Sequence, residues 1–136
     1  MSQYSLLSIP PYQFLIPLHE LKEVQLTPNI SPVPQAPPYV LGLFPIRGKL
    51  CTLLCLSTLL RFQNTARSFP KVIILDHHIG LFALEVMDID IISFSEEPKP
   101  PPQNLPFSDW VSGMFTSSKG DFFILSFTPL QKLVES

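Results

Sequence analysis

Apolar residues along this chain alternate with polar ones or gather into short runs, and both patterns are typical of β-strands. They predict a strand at 4–9 and another at 12–17, joined into a hairpin by a turn at Pro10-Pro11. Residues 18–26 fit a helical turn that continues into a strand. Further strands are predicted at 41–46, 49–56, 71–75, 79–86, 89–94, 109–115 and 121–127.

Proline separates many of these strands. The chain has 16 prolines in 136 residues, far above the average usage of roughly 5%. Proline lacks the N–H that a helix interior requires, so the proline-rich segment 28–38 is predicted to be an extended loop. A helical turn is predicted at 57–64 with Ser57 as its cap, and a closing helix at 129–134 with Pro129 in its first turn.

The chain also contains an internal repeat. The string YVLGLFPIRGK, which begins at Tyr39, comes back as WVSGMFTSSKG from Trp110. Gly42 then corresponds to Gly113, and the basic-glycine pair near the end of each string corresponds too. Each copy contains a hairpin, a strand, a proline loop, an aromatic-x-x-Gly strand, a basic-glycine turn and a last strand, which makes about five strands per copy.

Two copies of this kind predict an all-β protein with short helical turns. Five antiparallel strands in about 65 residues can close into a small barrel, which removes exposed sheet edges. Each barrel alone is too small for an ample core, so the two should pack together and leave a groove between them. We therefore predict one domain over 4–136, made of two pseudo-repeated five-stranded barrels, with approximate lobes at 12–64 and 71–127.

Composition narrows the possible functions. No run reaches the 18 or so apolar residues of a membrane helix, and no basic region precedes the first apolar run, so neither a membrane span nor a secretory signal is predicted. Cys51 and Cys55 on one strand would lie too far apart for a disulfide, which favours a reducing compartment and two small buried hydrophobes. The net charge is −2, but every charged residue in 24–75 is basic and every one in 76–97 is acidic, which suits two different partners.

Candidate catalytic chemistry is sparse. The string LDHHIG at 75–80 holds adjacent histidines at the turn of the clearest hairpin, and on a strand they would point to opposite faces. In a turn they could converge with Asp76, but no second His, Cys or Asp cluster would complete a metal site. The chain also has no Gly-x-Ser-x-Gly and no phosphate-cradling glycine loop. We predict no catalytic residue, no metal and no cofactor.

The order of the segments resembles the CheW family, the adaptor proteins of bacterial chemosensory arrays, over nearly the whole chain. FLIPLHELKEV resembles the family strand that ends in Pro-Leu and is followed by a Val-x-x-Ile element. SPVPQAPPYVLGLFPIRGKL resembles its proline loop, its Gly-Val-Ile-Asn strand and its Arg-Gly turn. IGLFALEV and WVSGMF…GDFFILSFTPLQKLV resemble its second hairpin, last strands and ending. The resemblance implies SH3-like barrels, whose strands can exchange between lobes, so that 4–9 could pair with the second lobe.

This resemblance implies a non-catalytic adaptor. Such proteins couple the cytoplasmic tip of a chemoreceptor to the regulatory domain of a CheA-type histidine kinase, in the cytoplasm at membrane-associated signalling arrays. Carried over by position, Leu21 and Val24 would line a receptor-binding groove from the first lobe and Val86 from the second. Arg47, at the basic turn, would steady the receptor contact or the groove wall. For the three apolar residues, ordinary core packing is the alternative.

Two other functions stay open at the level of sequence. Several polar or acidic marker positions of the family are replaced here, for example by Pro45 and Cys55, which favours a scaffold that binds the kinase but not the receptor. A small barrel could instead bind single-stranded nucleic acid through a basic run with Phe62 and Phe69 interleaved as stacking surfaces. The basic run comprises Arg47, Lys49, Arg61, Arg67 and Lys71. Since the run is sparse and the chain acidic, we predict no nucleic-acid partner.

Overall fold

The computed structural model describes residues 2–62, 69–77 and 80–135, and side chains up to residue 131. This part of the chain forms ten strands, two 3-10 turns and two α-helices. The strands are β1 (Ser2–Ile9), β2 (Tyr12–Pro17), β3 (Leu21–Leu26), β4 (Val40–Ile46), β5 (Lys49–Leu54), β6 (Lys71–His77), β7 (Gly80–Val86), β8 (Ile89–Phe94), β9 (Val111–Ser117) and β10 (Gly120–Leu125). The 3-10 turns are Leu18–Glu20 and Ser108–Trp110, and the helices are α1 (Leu56–Leu60) and α2 (Thr128–Glu135).

The ten strands form two five-stranded sheets. Sheet A has the order β8-β1-β2-β10-β9, and sheet B has the order β3-β6-β7-β5-β4. The prediction of an all-β fold with two five-stranded lobes is therefore confirmed. Closure into barrels was predicted as well, but among the described residues no ladder joins the outer strands of either sheet. The outer strands are instead covered by proline loops or face the groove between the lobes, so each sheet stays open.

The two copies of the repeat exchange their hairpins. Hairpin β1–β2 belongs to the first copy but lies in sheet A with β8, β9 and β10 of the second copy, while hairpin β6–β7 completes sheet B. β1 pairs with β8, as expected for 4–9, and the parallel pairs β2–β10 and β5–β7 complete each exchange. The segments 12–64 and 71–127 thus each contribute strands to both sheets. Nothing in the pattern of one strand encodes which distant strand it will join, so consecutive lobes were the simpler expectation.

The repeated glycines sit where a proline loop crosses an outer strand. Ser31 and Leu43 exchange two backbone hydrogen bonds of 2.8 Å, and Lys99 and Met114 exchange equivalent bonds of 2.8 and 3.1 Å. A Cβ on Gly42 would lie 2.6 Å from the Ser31 carbonyl oxygen and 2.3 Å from a methyl carbon of Ile30. The repeat of glycine and proline loop is therefore a device that covers the edge of each sheet.

We predict that Gly42→Ala lowers the free energy of unfolding by about 2 kcal/mol, because the new methyl group overlaps backbone of the covering loop. Gly113→Ala is the matched control, since its nearest contact would be 3.1 Å from the Lys99 carbonyl oxygen. It should cost about 1 kcal/mol or less. Urea unfolding of both variants measures the difference, and equal losses would contradict this account of the edge.

Both faces of each sheet contribute residues to a buried cluster. The faces that meet between the sheets form a large shared core, which also takes in α1 and α2. The outer face of sheet A covers a smaller aromatic cluster and that of sheet B a smaller aliphatic one. The sheet A cluster comprises Tyr4, Leu15, Phe94, Phe115, Phe122 and Ile124. The sheet B cluster comprises Phe44, Cys51, Leu53, Val72, Ile74 and Ala83. A lobe with so small a cluster of its own depends on the shared core.

A short helix follows the last strand of each copy. The start of α1 differs from the prediction: Cys55 occupies the cap position, its side chain makes no capping bond, and Ser57 lies inside the helix. The backbone N–H of Cys55 donates to the Tyr39 carbonyl at 2.8 Å, and the equivalent Ser126 N–H donates to Trp110 at the same distance. The predicted turn extended to 64, and its last residues lie outside the described part of the chain. The closing helix contains Pro129 in its first turn, as predicted.

Cys51 lies fully buried in the sheet B cluster, and both cysteines are free thiols. Burial raises the pKa of the Cys51 thiol from its ordinary 9.0 to about 11. The folded chain therefore keeps this proton over a pH range where the unfolded chain loses it, so folding becomes less favourable as pH rises through that range. We expect the free energy of unfolding to fall more steeply above pH 9 in the unaltered chain than in Cys51→Ala. Identical slopes in urea titrations at several pH values would contradict this.

Candidate partner-binding groove

A groove lies where the shared core reaches the surface between the two sheets. Its walls are β3, the outer strand of sheet B, and β8, the outer strand of sheet A, and β1 contributes the floor. The groove is open to solvent and has a volume of about 470 Å³. It is lined by Ser5, Leu21, Val24, Ile89, Asp90 and Ile91. The structure thus contains a groove between the lobes, and four of its six lining residues are apolar.

A β-bulge sets the β3 wall. Leu21 pairs with Leu75 and Val24 pairs with Ile73, while the register shifts between Leu21 and Glu23. Side chains three positions apart normally point to opposite faces of a strand, but the extra residue restores Leu21 and Val24 to one face. Leu75 and Ile73 both belong to the shared core, so this is the face that opens into the groove. Leu21 is half-buried and Val24 is 40% exposed.

The opposite wall comes from β8. Ile91 pairs with Ser5 and Ile89 pairs with Leu7 on β1, and directly opposed residues of an antiparallel pair project to the same face. Leu7 is fully buried in the shared core, whereas Ile91 is 64% exposed. The shared core therefore thins out along β1 and ends in the groove. In the sequence, the alternation of Ile89 and Ile91 with polar residues was the pattern that could have predicted this wall.

Val86 does not line the groove. It is fully buried in the shared core, near the end of β7, where it pairs with Lys71. A partner docked in the groove would meet Ile89 and Ile91 from this half of the chain and not Val86. Burial on both faces of β7 explains the difference, because a buried strand and a groove wall both read as apolar in sequence.

Arg47 lies on the other side of β3. Its backbone is left-handed, with a φ of 48°, and its guanidinium Nη2 lies 2.6 Å from Oε2 of Glu23. Glu23 pairs with Ile74, a member of the sheet B cluster, so the ion pair faces away from the groove. Arg47 therefore contacts β3 through Glu23, the residue next to Val24, and it is not part of the groove lining.

The candidate metal-binding residues are not brought together in the described part of the chain. Among residues 2–62, 69–77 and 80–135 no group of three His, Cys, Asp or Glu side chains could hold a metal ion. Within the predicted 76–78 turn, Asp76 forms an ion pair with Lys22 at 3.4 Å and His77 ends β6, while His78 lies outside the described residues. In the described segments no helix has the length and apolar character needed to span a membrane.

The aromatic residues of the nucleic-acid hypothesis are not free surfaces. Phe62 packs on the shared core, with its ring centroid 5.0 Å from that of Tyr12 and 5.8 Å from that of Phe14. Phe69 packs against the same core. Base stacking needs an exposed aromatic face, and both rings are partly buried against this core. Arg67 of the predicted basic run lies outside the described residues.

Two exchanged five-stranded sheets with a cleft between their outer strands define a two-lobed β scaffold. The chain belongs to the family of CheW-like domains, whose family model matches residues 3–130. Among solved structures it is similar to the scaffolding protein TtCheW from Thermoanaerobacter tengcongensis, with a TM-score of 0.84 at 19% identity. The match covers 92% of this chain and 84% of that one. No curated protein sequence gives a significant match.

Proposed function

We propose that this chain is a non-catalytic adaptor that couples the cytoplasmic tip of a chemoreceptor to the regulatory domain of a histidine kinase. The observation that carries this proposal is the groove between β3 and β8, where Val24 and Ile91 keep large exposed apolar surfaces. Exposed apolar residues that face one cleft from two walls are typical of a protein-binding site. Family membership gives the class of partner.

The groove suits a helical partner. A helix lays its apolar stripe into such a cleft and presents side chains at intervals of three and four residues. Two walls that carry apolar residues on either side of a shared floor accept that stripe. Asp90 adds a negative charge to the groove lining, which favours a helix that places a basic side chain beside the β8 wall.

The adaptor function needs a second surface for the kinase. The basic and acidic segments of the sequence meet in the fold, where Lys71 and Asp88 form an ion pair at 3.8 Å, so charge alone does not mark this second surface. A heterologous assembly uses a different patch for each neighbour. In this proposal the chain works in the cytoplasm at membrane-associated signalling arrays, without a cofactor and without inserting into the membrane.

A three-component binding experiment tests the proposal. The purified chain is mixed with a soluble chemoreceptor fragment that contains the helical hairpin tip, with the isolated kinase regulatory domain, and with both. We expect each to bind alone and all three to co-elute in size-exclusion chromatography. Failure to bind either one would overturn the adaptor function.

A scaffold-only role remains the second candidate. The burial of Val86 favours it, because one residue expected to contact the receptor is inaccessible. In that case the kinase domain alone would co-elute with the chain, and the receptor fragment would elute separately at every concentration tested.

A further inference from the structure

One buried side chain in the groove has no apparent use in the folded chain. Ser5 is 0% exposed, and it is the only polar or charged residue in the buried class among the described residues. Its hydroxyl Oγ makes no hydrogen bond with any described group. A buried hydroxyl without a partner is destabilising, and each such case in a native structure calls for an explanation.

Ser5 lies at the boundary between the shared core and the groove. Along this face of β1, Leu7 and Ile9 are fully buried in the shared core, while Gln3 is exposed. Ser5 itself pairs with Ile91 on one side and with Ile16 on the other, and it contributes to the groove lining. An alanine would fit this apolar setting without leaving a polar group unpaired.

The surroundings of Ser5 can open to a partner. Val24 and Ile91 line the groove with it and are 40% and 64% exposed, so much of each side chain is open to solvent. A side chain that enters between the two walls and displaces one of these residues would reach the floor. Apart from Asp90 the walls are apolar, so burying a charge there would cost far more than burying an uncharged amide or hydroxyl, and a hydrogen bond to Ser5 would offset that smaller cost.

We propose that Ser5 determines the specificity of the groove by hydrogen bonding to one uncharged polar side chain on the apolar stripe of the docked helix. This rests on the proposed function, and it narrows the partner to a helix with Asn, Gln, Ser or Thr at its deepest point. The hydroxyl can both donate and accept, so either an amide or a hydroxyl group satisfies it. A purely apolar helix leaves the hydroxyl unpaired and binds less well.

The test is Ser5→Ala, measured for stability and for binding to the same soluble receptor fragment. We expect unfolding at the same or a higher urea concentration, because the unpaired hydroxyl is gone, together with an affinity about tenfold lower. Binding to the kinase regulatory domain should not change. Ser8→Ala is the matched control: it lies on the same strand, pairs with Gln13, and is outside the groove, so it should alter neither quantity.

The outcomes separate this inference from the adaptor function. If the unaltered chain and Ser5→Ala bind the receptor fragment equally well, Ser5 is only a small filler and the inference is wrong. If Ser5→Ala is less stable than the unaltered chain, the hydroxyl is satisfied inside the fold and the inference is wrong again. If the unaltered chain binds no receptor fragment while it binds the kinase domain, the adaptor function fails and this inference fails with it.

Discussion

Val24→Glu will abolish binding to the receptor fragment while the chain stays folded. Val24 lies on the β3 wall of the groove and is 40% exposed, so the free chain can keep the new carboxylate in water. A docked helix would cover that carboxylate with apolar surface, at a cost of several kcal/mol. The affinity should therefore fall by about 100-fold or more, which isothermal titration calorimetry would measure as loss of binding heat.

Leu26→Glu is the matched control for this result. Leu26 lies two residues further along β3, is 76% exposed, and is not part of the groove lining. The same charge placed there should leave the affinity within a factor of about two to three, as expected for a change at the rim. Equal losses from both variants would point to a general charge effect and would remove the groove from the binding site. Kinase-domain binding by both variants shows that they are folded.

Leu21→Glu is a weaker test of the groove than Val24→Glu, because it does not distinguish a loss of binding from a loss of folding. Leu21 is only half-buried but packs against the shared core, so a carboxylate there must affect folding as well as binding. The sequence treats Leu21 and Val24 as equivalent groove candidates, and only the structure shows that Val24 is the more exposed of the two.

Local patterns predicted the elements well because they depend on local physics. The strand at 12–17, the helical turn before β3 and the closing helix follow from alternation, from proline and from chain polarity. The repeat also correctly predicted two related lobes, because the glycine and the proline loop that crosses it occur in both copies. Each of these features involves residues that are close in sequence or that recur with the same spacing.

Non-local pairing could not be predicted in the same way. The hairpin of each copy completes the sheet of the other, and only the exchange of 4–9 was expected, from the family resemblance. The exposure of the groove residues could not be predicted for the same reason. Val86 and Ile91 are both apolar strand residues, yet Val86 is buried and Ile91 is 64% exposed. The difference depends on whether a neighbouring strand covers the residue. The role of Ser5 was equally hidden, because a serine on a strand reads as solvent-facing until its neighbours are known.

The exchange of hairpins has a consequence for stability that Phe14→Ala will expose. Phe14 is fully buried on β2, which lies between β1 and β10 in the middle of sheet A. Its ring meets aromatic rings from three other parts of the chain, with centroid separations between 5.4 and 6.2 Å: Phe62, Phe107 and Phe123. Removing the ring should lower the free energy of unfolding by about 4 kcal/mol. That is a large part of the roughly 5–15 kcal/mol of a typical domain.

The form of the unfolding curve matters as much as its midpoint. Hairpin β1–β2 comes from one copy of the repeat, and its partners in sheet A come from the other. Because Phe14 belongs to the core that both sheets share, its loss should destabilise both lobes together. Fluorescence of Trp110, the single tryptophan, and far-UV circular dichroism should therefore report one coincident transition in Phe14→Ala, shifted to lower urea. Phe14→Leu is the control and should cost about 1 kcal/mol. Two separate transitions would contradict this prediction. If the fluorescence change preceded the loss of the strand signal, the two sheets would unfold independently and the shared core would not couple them.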